Sequence, residues 1–410
     1  MGSRGRAVVV GGGIGGLAAA VGLHRTGWEV AVLERSAVLD DAGAGISLAA
    51  NGIRALEALG LGAAVRRAAR PQYTGGTRAP DGRWLSRMDG AALERALGVP
   101  MTGVPRAELH ALLRAALPQS ALLVGRTAER ITTGSARPVV HCQGGEAHEA
   151  DVVVAADGVR SRIRAALFPE HPGPAYSGST VLRAITARPV RLDTDFTLVW
   201  GPGAEFGHIG FRDGRAEWHA VLNAPAGVRH ADPLAVVTRR FASWPGPVQD
   251  LLAATRPEDV LHHDIHELAV PLPRFVSGRV ALLGDAAHAM TPHLGQGACQ
   301  ALEDAVTLAA ELAAGPGPEA ALARYDALRR PRTQAVTVAA RRAGRMGQQL
   351  THPLAVALRN TALRLAPSGA TIRTILRHAD WTPPRLPGVP AATAAGTDTG
   401  TGTGPGPRDR

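Results

Sequence analysis

The sequence predicts an α/β fold in which a Rossmann-like domain is interleaved with an antiparallel β-sheet domain and followed by C-terminal helices. Three observations carry this expectation. A glycine-rich turn joins a buried apolar strand to a helix within residues 6–26. Short apolar runs of the same buried, parallel-strand type recur far along the chain, at 151–155 and 279–283. Between those two runs, residues 173–267 read as short strands separated by turn sequences.

Taken in order, Ala7-Val8-Val9-Val10 is the first strand, Ile14 to Thr26 the first helix, and Trp28 to Leu33 the next strand. A helix is expected near Gly52 to Leu59 with Asn51 as its N-cap. Short strands follow from Tyr73 to Arg87, turned by Pro80-Asp81-Gly82. Arg106 to Leu117 reads as a helix, with leucines at 109, 112 and 113. Segments 179–188, 196–200, 206–211 and 216–223 read as antiparallel strands, broken by Gly-Pro-Gly and Arg-Asp-Gly-Arg turns. A long helix is expected over 298–313, and helices dominate 319–378. Residues 382–410 hold mostly Pro, Gly, Thr and Ala, the composition of a disordered tail.

Composition narrows the function. With 410 residues, 45% of them hydrophobic, the chain can bury a sizeable core over two or three domains. No run reaches the length of a membrane span, and no secretory leader is visible. The two cysteines, Cys142 and Cys299, make no disulfide framework, which suits a reducing cytoplasm. A net charge of +10 raises nucleic acid as a partner. All 45 basic residues are arginine, however, and they are spread along the chain with only 4% aromatics to stack on bases. A solvated arginine-rich surface is the better reading, and no nucleic-acid partner is expected. His262, His263, Asp264 and His266 lack zincin spacing, so no metal site is expected.

Gly11-Gly12-Gly13-Ile14-Gly15-Gly16 fits G-x-G-x-x-G after a strand and at the opening of a helix. Gly11 permits the tight turn, Gly13 lets the backbone approach a pyrophosphate, and Gly16 allows close helix–strand packing. Ile14 and Gly15 begin a helix whose N–H groups and dipole attract phosphate. Glu34, 18 residues beyond Gly16 and followed by Arg35, stands where a carboxylate can accept from a ribose diol. A dinucleotide is expected, and this motif alone leaves FAD and NAD both open.

Further blocks resolve that choice by resemblance. Asp157-Gly158-Val159-Arg160-Ser161 and Gly284-Asp285-Ala286-Ala287-His288, with Pro292 and Gly295-Gln296-Gly297, resemble the Asp-Gly and Gly-Asp motifs of the p-hydroxybenzoate hydroxylase family. Arg106-Ala-Glu-Leu109 is similar to the family helix whose arginine reaches FAD, and Gly43-Ala-Gly-Ile46 with Asn51-Gly52 to a further block. The resemblance spans about residues 6–380, in the expected order, and points to the salicylate and urate hydroxylase branch. It implies noncovalent FAD, with Asp285 meeting the ribityl hydroxyls and Gly295 to Ala298 bringing backbone and a helix dipole to the flavin ring. His288 reads as a packing histidine. The implied division is an FAD-binding domain from 1–72, 101–172 and 268–350, a substrate domain from 73–100 and 173–267, and C-terminal helices at 351–381.

The implied reaction is that of a single-component monooxygenase. NAD(P)H reduces the flavin, O2 forms a C4a-hydroperoxide, and an aromatic or polyketide-like molecule is hydroxylated or epoxidised. A reductase or dehydrogenase of the same fold, or a non-catalytic flavin-binding protein, remains an alternative. Strand alternation puts Glu217, His219 and Val221 on one face, with Glu205, His208 and Arg183 nearby. Glu217, His219 and Arg183 are the catalytic candidates, and Glu205, His208, Glu217 and His219 the substrate-binding ones. Glu205 and Glu217 stand where the urate enzymes carry an arginine and a tyrosine, which disfavours an anionic substrate. The two glutamates could instead face solvent on a hairpin. A monomer or homodimer is expected.

Overall fold

The computed structural model describes residues 3–39, 44–134, 137–367 and 369–387. A six-stranded sheet runs in the order 276–277, 280–282, 152–155, 6–10, 29–34, 122–124. Four of its five pairings are parallel, with Val8 opposite both Val153 and Ala31. The strand Arg6–Val10 is buried on both faces, which is why it reads as an unbroken apolar run. Helices Ile14–Arg25 and Gly297–Ala314 pack on each other over this sheet. Ala and Gly on both helices permit that approach: a Cβ on Gly22 would stand 2.8 Å from that of Ala309.

A second sheet has seven strands, ordered 261–267, 175–185, 216–223, 204–210, 196–201, 74–78, 84–89. Early and late segments therefore share one sheet. Thr74–Arg78 joins Phe196–Gly201 in parallel, so the sheet is mixed rather than wholly antiparallel. One face carries Leu182, Ala184, Phe206, Trp218 and Ala220 onto helices Pro233–Arg240 and Val248–Ala253, forming a separate core. Alternation turns the other face toward the strand Gly45–Leu48. That strand pairs with Thr102–Pro105, which leads directly into the helix Arg106–Ala115.

Some local expectations need correction. The helix after the strand Gly45–Leu48 begins at Ala50 with Ala49 as N-cap, so Asn51 lies inside it and is fully buried. The expected tail begins too early, because Leu386 is buried in the principal core. Residues 388–410 lie outside the described residues. Strands at 122–124, 128–132, 139–142 and 147–149 have no counterpart in the sequence reading. Among the described residues, no helix is long and apolar enough to cross a membrane.

Candidate active site

The glycine turn is built as its sequence requires. Gly11 has φ +109°, and a Cβ on Gly16 would collide with the Gly11 carbonyl, so only glycine lets strand and helix meet there. At Gly13, by contrast, nothing stands within 4 Å of where a Cβ would be. The turn thus presents bare backbone and the N-terminus of the helix that begins at Ile14 and Gly15. Glu34 bends back across it: the Gly12 N–H donates to Glu34 Oε2 at 2.7 Å, and the Ser36 N–H to Oε1 at 2.8 Å. Arg35 is exposed. His110, buried on the helix that starts with Arg106, sets Nε2 2.7 Å from the Gly12 carbonyl oxygen. The Arg106 N–H donates to the Ala44 carbonyl at 2.8 Å, tying that helix to the strand after the turn. Gly43 lies outside the described residues.

The Asp-Gly and Gly-Asp segments meet through an arginine that sequence reasoning overlooked. Arg164 is buried, donates to the Ala286 and Val159 carbonyls, and lies in the field of both Asp157 and Asp285. Burial draws its pKa below the ordinary guanidinium value. Its signal was the Ser161-Arg-Ile-Arg164 stretch, where Ser161 caps a helix by accepting from the Arg164 N–H. Asp157 Oδ2 accepts from the Ile163 N–H, while Oδ1 is buried with no partner among the described residues. Asp285 is exposed, as are Pro292 and Gly295. Gly295 has φ +61°, and open space surrounds the Cβ positions of Gly295 and Gly297. Gln296 is buried as N-cap of the helix containing Gly297 and Ala298.

Behind this segment lies a charged network that periodicity could not reveal. Asp304 accepts from the Gly284 N–H at 3.1 Å, from His288 Nε2 at 2.6 Å and from Arg329 Nε at 2.7 Å. Burial alone would raise its carboxyl, but His288 and Arg329 hold it down at about 2. Glu303 accepts from Asn51, Gln300, Arg329 and Arg332, and Asn51 also donates to Gln296 at 2.9 Å. His288 is thus a packing histidine, and Asn51 links two blocks of the glycine-rich cleft.

The sheet face toward Gly45–Leu48 gathers the remaining candidates. Arg183 pairs across the strands with His219, and His219 with Gly207. His219 Nδ1 lies 3.2 Å from Glu217 Oε2, and Nε2 lies 3.7 Å from Glu205 Oε1. The indole N–H of Trp200 donates to Glu205 Oε2 at 2.6 Å. Both glutamates are nearly inaccessible, at 5% and 3% exposure, so neither faces solvent on a hairpin. Burial alone would lower the His219 pKa, but Glu217 and then Glu205 outweigh it and hold it above its ordinary value. A Cβ on Gly207 would strike the His219 ring, and one on Gly45 would strike Glu217. Gly207 was missed because its role is to leave room, and Gly45 was noted only as part of the Gly43-Ala-Gly-Ile46 block.

His208 does not join this group. Strand alternation sends it to the opposite face beside Trp218, where Nε2 lies 3.3 Å from the Thr194 carbonyl oxygen and burial draws its pKa down to about 4. The 262–266 histidines lie along the strand Leu261–Glu267, where Asp264 pairs with Arg229 instead. Among the described residues no cluster of metal ligands occurs.

Comparison with known proteins agrees with this geometry. The family described as FAD binding domain matches residues 5–340. Aurachin C monooxygenase/isomerase of Stigmatella aurantiaca is 36% identical over 92% of this chain and 98% of that one. The 3-amino-4-hydroxybenzoate 2-monooxygenase PtnB3 of Streptomyces platensis is 38% identical over 81% of this chain and 86% of that one. The crystal structure of Klebsiella pneumoniae HpxO with FAD and uric acid superposes with a TM-score of 0.84 at 28% identity, covering 91% of this chain and 96% of that one. The open backbone at Gly13, Gly295 and Gly297 and the unpartnered Asp157 oxygen suit the FAD this family holds. Together, the family match and the extent of these likenesses make the chain a member of the FAD-dependent monooxygenase family.

Proposed function

We propose that the chain hydroxylates or epoxidises a neutral or weakly acidic aromatic or polyketide-like molecule in the cytoplasm, with NAD(P)H and O2 as co-substrates. The observation that carries the substrate half is the charge balance on the inner sheet face. Arg183 and a His219 held toward its imidazolium form are opposed by Glu205 and Glu217. Such an array compensates itself and offers no surplus cation to a carboxylate.

The residues proposed to hold FAD are spread over 1–72, 101–172 and 268–350, and the substrate side is formed by 73–100 and 173–267. Gly13 would receive the pyrophosphate at the helix begun by Ile14 and Gly15, with Gly11 and Gly16 shaping the turn and Glu34 and Arg35 at the ribose. Arg106, Asp157 and Asp285 would hold the FAD, and Pro292 and Gly295 to Ala298 would hold its ring. Bound there, FAD supplies hydride acceptance from NAD(P)H and the activation of O2. The chain's own part is to orient the substrate and move its proton. A ring hydroxyl brought against this pair would accept from His219 Nε2 and donate to Glu205 Oε1. Trp200 fixes the far oxygen of Glu205, and Glu217 fixes the imidazole.

The test is a screen of phenols, quinones, hydroxylated heterocycles and benzoates for accelerated NAD(P)H oxidation, with hydrogen peroxide and O2 uptake measured. Coupled turnover of uncharged rings, lost in Glu205→Gln, is expected. Best coupling with small anionic benzoates or urate would overturn the substrate assignment. Substrate oxidation without O2 would favour the reductase or dehydrogenase alternative.

A further inference from the structure

The C-terminal helices carry a surface that the chemistry above does not use. On the helix Pro353–Leu365, Leu354, Leu358 and Leu365 are 76%, 72% and 78% exposed, the most exposed large hydrophobic side chains among the described residues. At 100° per residue they fall within 40° of one another, forming one stripe. Ala357, Thr361 and Ala362 extend the same face and are exposed too, so the stripe contains no charge. A surface helix of a globular domain ordinarily turns such a stripe inward. This helix instead uses Arg359 to hold on: buried, it donates to the Gly347 carbonyl at 2.6 Å. Met346, beside that contact, is 62% exposed.

The charge on the segments that flank this helix in sequence says what covers the stripe, and the Arg359 contacts to the Met346 and Gly347 carbonyls bring the end of the preceding helix beside it. Between Ala327 and Ala379 the sequence has ten arginines and no carboxylate. Arg342, Arg345, Arg373 and Arg377 are exposed and have no ion pair among the described residues. Arg364 makes one loose pair, 3.9 Å from Asp81. A second copy of this chain would bring two such cationic surfaces together, whereas an anionic bilayer complements both the leucines and the arginines.

We infer that the helix Pro353–Leu365 and the exposed arginines that flank it in sequence dock the protein on an anionic lipid surface. The leucines enter the boundary between headgroups and acyl chains, and the arginines pair with lipid phosphates. The inference is independent of which substrate is hydroxylated.

Co-sedimentation of the FAD-loaded protein with phosphatidylcholine vesicles, with and without one quarter phosphatidylglycerol, tests it. Binding to the anionic vesicles only, weakened by added salt, is expected. The triple variant Leu354→Ser, Leu358→Ser, Leu365→Ser should lose about tenfold or more in vesicle affinity while keeping its FAD and its melting temperature, since all three side chains are exposed. Arg373→Gln with Arg377→Gln should weaken binding and flatten its salt dependence. No binding to anionic vesicles, or equal binding by the leucine variant, would overturn the inference. A stable dimer that the leucine variant dissolves would also overturn it, by making the stripe a self-interface.

Discussion

Replacing Asp304 by Asn tests whether the buried network sets the cleft. The carboxylate serves three donors with two oxygens: Gly284 N–H and His288 Nε2 on one, Arg329 Nε on the other. Asn keeps one acceptor and puts an NH2 where the other was, so a buried donor must face a donor. A carboxyl held at about 2 against an ordinary 3.8 stabilises the folded state. Near neutral pH that is worth about 2.5 kcal/mol. Leaving Arg329 with Glu303 alone adds a desolvation cost, for a total of about 3–5 kcal/mol. The sign with pH follows from the lowered value. This stabilisation is complete above the unfolded carboxyl's ordinary 3.8 and is lost as pH falls toward 2. The assay is urea denaturation of FAD-loaded and FAD-stripped protein between about pH 3 and pH 7, with wild type and variant converging at the acid end. FAD retention should weaken in parallel, because Asp304 anchors Gly284, the residue before Asp285. A variant within about 1 kcal/mol of wild type at neutral pH, with unchanged FAD affinity, would refute this account.

The glycine turn separates folding from cofactor retention. Gly16→Ala should lose about 1–3 kcal/mol in stability, because its methyl meets the Gly11 carbonyl. Gly13→Ala should melt like wild type yet lose about tenfold in FAD affinity by fluorescence titration, since its methyl enters the open cradle. Gly207→Ala should displace the His219 ring, seen as more hydrogen peroxide per NAD(P)H consumed, with a loss of about 1–3 kcal/mol in stability. Because the His219 pKa is raised, its imidazolium persists above pH 6.5, and coupling should fall as pH rises through the folded value. In His219→Asn that alkaline limb should vanish from the coupling profile.

Most of the frame was legible because its signals are local. Gly11 and Gly16 must be glycine for reasons of backbone and packing, and the buried parallel strands announce themselves as unbroken apolar runs. The interleaving could be inferred because segments far apart in sequence resembled parts that meet at one cofactor. What stayed hidden depends on partners distant in the chain. Glu303 and Asp304 read as ordinary polar positions of a helix until Arg329 and Arg332 arrive from the next one. Asn51 imitated an N-cap because Asn favours that position, whereas its place inside the helix rests on its buried bonds to Gln296 and Glu303. His208 was grouped with His219 although they sit on opposite faces, a distinction fixed only by cross-strand pairing. The short strands between 122 and 149 escaped because three or four residues carry too little pattern to recognise.

The order of strands also governs how the chain can be assembled on the ribosome. Arg6–Val10 finds one neighbour at once in Glu29–Glu34, but the other, Val152–Ala155, is made more than a hundred residues later, and Val280–Leu282 later still. Thr74–Arg78 likewise waits for Phe196–Gly201 to emerge before the larger sheet has its parallel neighbour. Neither sheet can close while the first half alone is outside the exit tunnel. Nascent chains shorter than about 280 residues must therefore carry unpaired strand edges, open to chaperones and to one another. Truncation before Leu282 should yield aggregates instead of a smaller working enzyme.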